Sequence, residues 1–169
     1  MWTNIVILTL VTLQRLAELF IARRNTERLL AAGGFEVASG HYPLFVVLHG
    51  LWLAGLWYLA LKLQVSYPWI VAYLVLEAAR GWIIAALGSR WTTRIVVVPG
   101  ETLVEQGPYK YFRHPNYMVV AGEIFILPMA FGLWWYALIF AVVNAALLYW
   151  RIKTEDAALK PLREPPADS

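Results

Sequence analysis

The 169-residue sequence contains no cysteine, so a disulfide framework, a thiolate zinc site and a cysteine nucleophile are all excluded. Histidine is scarce: His41, His49 and His114 are too far apart for a helical metal motif, and no bound metal is expected. Charge is scarce too, at 15% of residues, and the basic residues are not massed as a nucleic-acid surface requires. No basic n-region precedes the first apolar stretch and no small-residue cleavage site follows it, which argues against a removable signal peptide. No internal repeat is visible.

What remains is grease. Hydrophobic residues make up 60% of the chain and the mean hydropathy is +0.58, whereas a soluble globule is about half apolar and a quarter charged. Nine Trp and nine Tyr suit ring anchors at membrane interfaces or the lining of an apolar pocket. Five apolar segments are predicted as membrane spans: about Trp2 to Ala22, Leu44 to Leu63, Trp69 to Leu87, Asn116 to Phe131 and Trp134 to Trp150. Each comes close to the roughly 20 residues that a bilayer core requires. Gly33-Gly34 ends the helical continuation of the first span. Ser66-Tyr67-Pro68 and Gly132 turn the chain between spans, and Pro99-Gly100 and Gly107-Pro108 turn it between spans three and four. The expected architecture is a single all-α membrane domain over 1–160, with its chemistry in about 94–159 and a disordered tail over 161–169.

Lys and Arg set the orientation. Arg23, Arg24 and Arg28 follow span one; Arg90, Arg94, Lys110 and Arg113 separate spans three and four; Arg151, Lys153, Lys160 and Arg163 follow span five. An external N-terminus and a cytoplasmic C-terminus place every basic cluster on the cytoplasmic side. A bacterial inner membrane is the expected location.

Charged groups inside a span are costly and mark candidate sites. Arg15 and Glu18, Glu77 and Arg80, and Arg151 and Glu155 stand three or four residues apart, where two side chains share a helix face and neutralise one another. Asn144, Leu148, Arg151 and Glu155 form a partly polar stripe able to line a cavity. The densest signal runs from Gly107 to Tyr117, with Arg113-His114-Pro115-Asn116-Tyr117 at its end, and is answered about 35 residues later by Arg151-Ile152-Lys153-Thr154-Glu155-Asp156.

These two blocks resemble the core of the isoprenylcysteine carboxyl methyltransferase family, L-V-x-x-G-x-Y-x-x-x-R-H-P-x-Y, a helical hairpin, then R-x-x-x-E-E. Leu103-Val104, Gly107, Tyr109, Arg113-His114-Pro115, Tyr117, Arg151 and Glu155 fall in register, over roughly Arg94 to Leu159. The first three spans carry no matching motif. The resemblance implies a cytoplasmic S-adenosyl-L-methionine pocket between the R-H-P-x-Y segment and the last helix. By position, Leu103, Val104, Tyr109, His114, Pro115, Asn116, Tyr117 and Glu155 would contact cofactor, and Arg151 would face the methyl acceptor. Glu101 stands where eukaryotic members often carry His, and Asp156 replaces the second Glu. Glu123, within the fourth span, is either a base or hydrogen-bond acceptor in the acceptor site or a partnered structural carboxylate.

Pro99-Gly100-Glu101-Thr102-Leu103-Val104 and His114-Pro115-Asn116-Tyr117 resemble the pattern of bacterial relatives linked to long-chain alkylpyrones and phenolic lipids. The expected reaction is therefore O-methylation of a carboxylate, enol or phenol on a lipophilic, membrane-borne acceptor, with prenyl-type compounds in the same class. The rival readings are a phospholipid-type N-methyltransferase, an NADPH-binding relative of the sterol reductases, and a small non-enzymatic membrane protein.

Overall fold

The computed structural model describes residues 1–163, with side chains through residue 160. Among the described residues there are five α-helices: α1 (Trp2–Ala31), α2 (Tyr42–Leu59), α3 (Tyr67–Leu87), α4 (Pro115–Ala130) and α5 (Trp134–Arg163). Four of them are long and apolar enough to cross a membrane, and α4 is a shorter apolar helix. At 1.5 Å per residue its 16 residues span about 24 Å. The protein is thus an all-α membrane protein of five helices. Of the disordered tail expected over 161–169, residues 161–163 instead continue α5, and 164–169 lie outside the described residues.

Helix α1 outruns its predicted span by more than two turns, because nothing in Arg23 to Arg28 opposes helix: Arg23, Arg24, Glu27 and Arg28 are exposed, and Asn25 and Thr26 are buried against the bundle. Its stop is steric. Gly33 takes φ +89°, and a Cβ on Gly34 would lie 2.7 Å from the Leu29 carbonyl oxygen. A substituted residue at 34 could not make the 2.9 Å bond from Gly34 N–H to that same oxygen.

Buried asparagines let α1 close the ends of its neighbours. Asn4 Nδ2 donates to the carbonyls of Ala60 (2.6 Å) and Leu63 (2.8 Å), just past the end of α2. Asn25 Nδ2 does the same for Trp91 (2.8 Å) and Gly88 (3.3 Å), past the end of α3. Helix-end carbonyls have no partner within the helix, and lipid offers none.

Pro128 makes a comparable demand inside α4. Its missing N–H frees the Ile124 carbonyl four residues earlier. The buried indole of Trp52, on α2, donates Nε1–H to that oxygen at 3.1 Å. Tyr136 on α5 then donates to the Trp52 carbonyl at 2.8 Å. Its hydroxyl crowds the position a Cβ would take on Gly55, which keeps residue 55 a glycine. The apolar core around these bonds joins Leu8 and Val11 of α1, Leu56 of α2, Tyr73 of α3 and Leu127 of α4.

One element was absent from the sequence reading. Phe35–Val37 (β1) and Ile95–Val97 (β2) pair antiparallel, with Phe35 opposite Val97 and Val37 opposite Ile95. The α1–α2 and α3–α4 connections therefore lie at one end of the bundle. Arg94 fastens them, with Nη1 2.7 Å from Glu36 and its guanidinium 4.4 Å from the centre of the Tyr42 ring.

Candidate active site

One cavity of about 750 Å³ starts beneath the β1–β2 pair and runs inward between the helices. That volume suits a cofactor or a drug-sized ligand. Its outer half is built from the two sequence blocks. Pro108 starts a short 3₁₀ turn, Gly107–Lys110, which seats Tyr109 against the wall. Pro115 then occupies the first turn of α4, where its missing N–H costs nothing, so His114, Asn116 and Tyr117 cluster at the helix start. Arg151 and Glu155, four apart on α5, face them.

These side chains form a relay. Tyr117 O–H donates to the Glu155 carboxylate, and Arg151 Nε donates to the Tyr117 oxygen at 2.8 Å. Arg151 Nη2 donates to the Thr93 carbonyl at 2.8 Å, tying α5 to the α3–α4 connection. The Arg151 guanidinium lies over the rings of Phe45 and Tyr117, at 5.1 and 5.6 Å. His114 stacks on Tyr117 with ring centroids 5.5 Å apart, and its Nε2 is 3.1 Å from Asp156 Oδ1. The expected Arg151–Glu155 pair therefore meets through a phenol rather than directly. Burial pushes the Tyr109 phenol well above its ordinary value, and the Glu155 negative charge adds to the shift. Tyr109 consequently stays a neutral O–H.

Two buried polar atoms near this relay lack a hydrogen-bond partner: Asn116 Oδ1, and His114 Nδ1, which lies 3.8 Å from Glu155 Oε1. Such atoms are costly to leave unbonded, and both belong to residues of the cavity wall.

Of the residues singled out in the sequence, Leu103, Val104, Tyr109, His114, Asn116, Tyr117, Arg151 and Glu155 all line this cavity. Pro115 is buried behind it as the first residue of α4. Glu101 is at the rim, paired with Arg90 at 3.1 Å.

Glu123 is elsewhere. It is 1% exposed and does not line the cavity. Its carboxylate receives Arg80 Nε at 2.7 Å and Arg80 Nη2 as well, and Arg15 Nη2 at 2.7 Å. Glu18 pairs with Arg15 at 2.9 Å, as its i+3 spacing predicts, and also meets Arg80 at 3.3 Å. The expected Glu77–Arg80 pair gives way. Arg80 turns to Glu123 and Glu18, and Glu77 accepts instead from Gln14. Guanidinium geometry explains the exchange, since a planar fork matches a carboxylate presented edge-on from another helix.

Of the inner half of the cavity the sequence singles out Arg15, Glu18 and Arg80, and gives no sign of Thr12, His49 or Trp52. Thr12, Arg15 and Glu18 of α1, His49 and Trp52 of α2 and Arg80 of α3 line it. The only available signal was the presence of ionisable groups within apolar spans.

The isoprenylcysteine carboxyl methyltransferase family matches residues 69–161, covering α3 to α5 and hence both halves of the Tyr117–Arg151 relay. An uncharacterized protein of Bacillus subtilis strain 168, YpbQ, is 36% identical over 159 residues, covering 91% of this chain and 95% of its own. An uncharacterized protein of Haemophilus influenzae is 25% identical over 154 residues, covering 88% of this chain and 90% of its own. No solved structure matches. With its two motif blocks folded onto one cavity, the chain belongs to the isoprenylcysteine carboxyl methyltransferase family of membrane methyltransferases.

Proposed function

We propose that the protein transfers the methyl group of S-adenosyl-L-methionine to an oxygen of a lipophilic acceptor at the cytoplasmic face of the membrane. The observation that carries this reading is the continuity of one cavity from a polar, carboxylate-bearing outer half to an apolar wall of α1 and α2. Bound in the outer half, the cofactor supplies a methyl group already activated on a sulfonium.

The residues present fit that ligand. Glu155 has lone pairs beyond the one bonded by Tyr117 and can accept from an ammonium group. His114 Nδ1 and Asn116 Oδ1 offer the polar edge that a purine or ribose requires. Tyr109, held neutral, presents a ring face to a cation or a base.

Leu16 and Leu19 of α1 and Val46 and Leu53 of α2 give the acceptor chain an apolar bed. Leu16 and Leu19 are also exposed on the outer surface of the bundle, where lipid would lie, so an acyl or prenyl chain can enter from the bilayer. Arg151 decides the class of acceptor. With Nε and Nη2 committed to Tyr117 and Thr93, its remaining N–H groups can hold an oxyanion, and its fixed positive charge disfavours a cationic amine. The protein's contribution is alignment of acceptor oxygen with methyl group, which can supply several kcal/mol. The basic connections, held at one end by the β1–β2 pair, support a cytoplasmic mouth with the N-terminus outside.

Incubation of the purified protein with methyl-labelled S-adenosyl-L-methionine and a panel of long-chain carboxylates, enols, phenols and phosphatidylethanolamine tests this reading. Label is expected in ester or ether products. Label confined to the phospholipid amine would contradict it.

A further inference from the structure

The inner half of the cavity contains one basic atom whose orientation the fold dictates. His49 lies on α2, one helical turn beyond Phe45, and its Nδ1 is 2.8 Å from the Phe45 carbonyl oxygen. A carbonyl only accepts, so in the neutral ring Nδ1 carries the hydrogen and Nε2 carries the lone pair. Phe45 is the ring over which the Arg151 guanidinium lies, at 5.1 Å, and its centroid is 6.3 Å from that of His49. Arg151 and His49 thus share Phe45 as a neighbour, and both line the cavity.

The other ionisable groups of the inner half are already committed. Arg15 and Arg80 hold Glu18 and Glu123. Glu18, the one carboxylate lining this part of the cavity, is gripped by both guanidiniums and is a poor proton acceptor. Among the described residues, Nε2 of His49 has no hydrogen-bond partner, and its ring lines the cavity. An ionised carboxylate acceptor needs no base. A neutral imidazole with a preset tautomer beside the acceptor site matches an oxygen that still carries its proton.

We propose that His49 Nε2 is the general base of the reaction, and that the acceptor is a protic hydroxyl, a phenol or enol, rather than a carboxylate. This rests on the methyl-transfer reading above. The acceptor O–H proton passes to Nε2, and the oxygen electron pair forms the bond to the methyl carbon. The methyl–sulfur bond breaks with its electrons remaining on sulfur, and the imidazolium later releases its proton to water at the cavity mouth. Arg151 steadies the negative charge that develops on the oxygen.

The test uses full-length protein in detergent and 3-pentadecylphenol as the probe. Calorimetric titration with S-adenosylhomocysteine comes first, then titration of the loaded protein with the phenol, then measurement of methyl transfer. Wild type is expected to bind both compounds and to methylate the phenol. His49→Gln, which accepts a hydrogen bond but takes no proton at neutral pH, should still bind both and lose transfer by at least about a hundredfold. His49→Phe should keep S-adenosylhomocysteine binding, which shows that it is folded, and weaken phenol binding about tenfold. Transfer by His49→Gln within a few-fold of wild type overturns the proposal. So does wild type that binds S-adenosylhomocysteine but fails to bind or methylate the phenol. Wild type that does not bind S-adenosylhomocysteine overturns the methyl-transfer reading itself, a result distinct from the other two.

Discussion

Replacing Glu123 with Ala is expected to lower the stability of the detergent-solubilised protein by about 3–5 kcal/mol, the range measured when one partner of a buried ion pair is removed. The carboxylate pairs with both Arg80 and Arg15, from a position 1% exposed. Without it, Arg80 keeps only Glu18 and Arg15 keeps Glu18 and the more distant Glu77 at 3.8 Å, and the joint between α1, α3 and α4 opens. Glu123→Gln keeps some hydrogen bonds but loses the charge, so its effect should be smaller and of the same sign. Changing Arg80 to Met together with Glu123 to Leu should recover part of the loss, because apolar groups of similar volume carry no desolvation cost. Thermal unfolding with ligand binding as the readout checks all three. A Glu123→Ala protein of normal stability with abolished transfer would instead make Glu123 a reacting group.

Replacing Arg151 with Lys, although it preserves charge, is expected to reduce methyl transfer by about 10²–10³-fold, the range for losing one donor to a developing oxyanion. Three separate directions are asked of this side chain: Nε to the Tyr117 oxygen, Nη2 to the Thr93 carbonyl, and the remaining donors to the acceptor. A lysine ammonium is a point charge on a flexible stem and cannot hold all three at once. S-adenosylhomocysteine affinity should change only a few-fold, since Glu155 and Tyr109 remain. An equal loss of cofactor affinity and transfer would show that Arg151 shapes the cofactor pocket rather than the acceptor site.

The outer half of the site was legible in the sequence because its residues lie in two short blocks whose spacing survives folding. His114, Asn116 and Tyr117 occupy one helix start, and Arg151 and Glu155 occupy one face of α5. The five apolar helices were legible for a similar reason, since a bilayer sets the length of the four that are long enough to cross it. The inner half was not, because its partners are brought together only by packing. Arg15, Arg80 and Glu123 come from α1, α3 and α4; helical spacing finds the Arg15–Glu18 pair within α1 but not the pairs of Arg15 and Arg80 with Glu123 between helices. The β1–β2 pair escaped notice because three-residue strands carry too few alternations to read, and their pairing depends on how α1 and α3 end.

Calorimetric titration of the purified protein with S-adenosylhomocysteine, beside a Glu155→Ala variant, tests the central claim most directly. Wild type should show saturable binding. The variant, which loses a charge-assisted hydrogen bond at the centre of the relay, should bind about 10–100-fold more weakly. Absence of binding to folded wild type, or equal affinity in the two proteins, would contradict the cofactor pocket and with it the proposed methyl transfer.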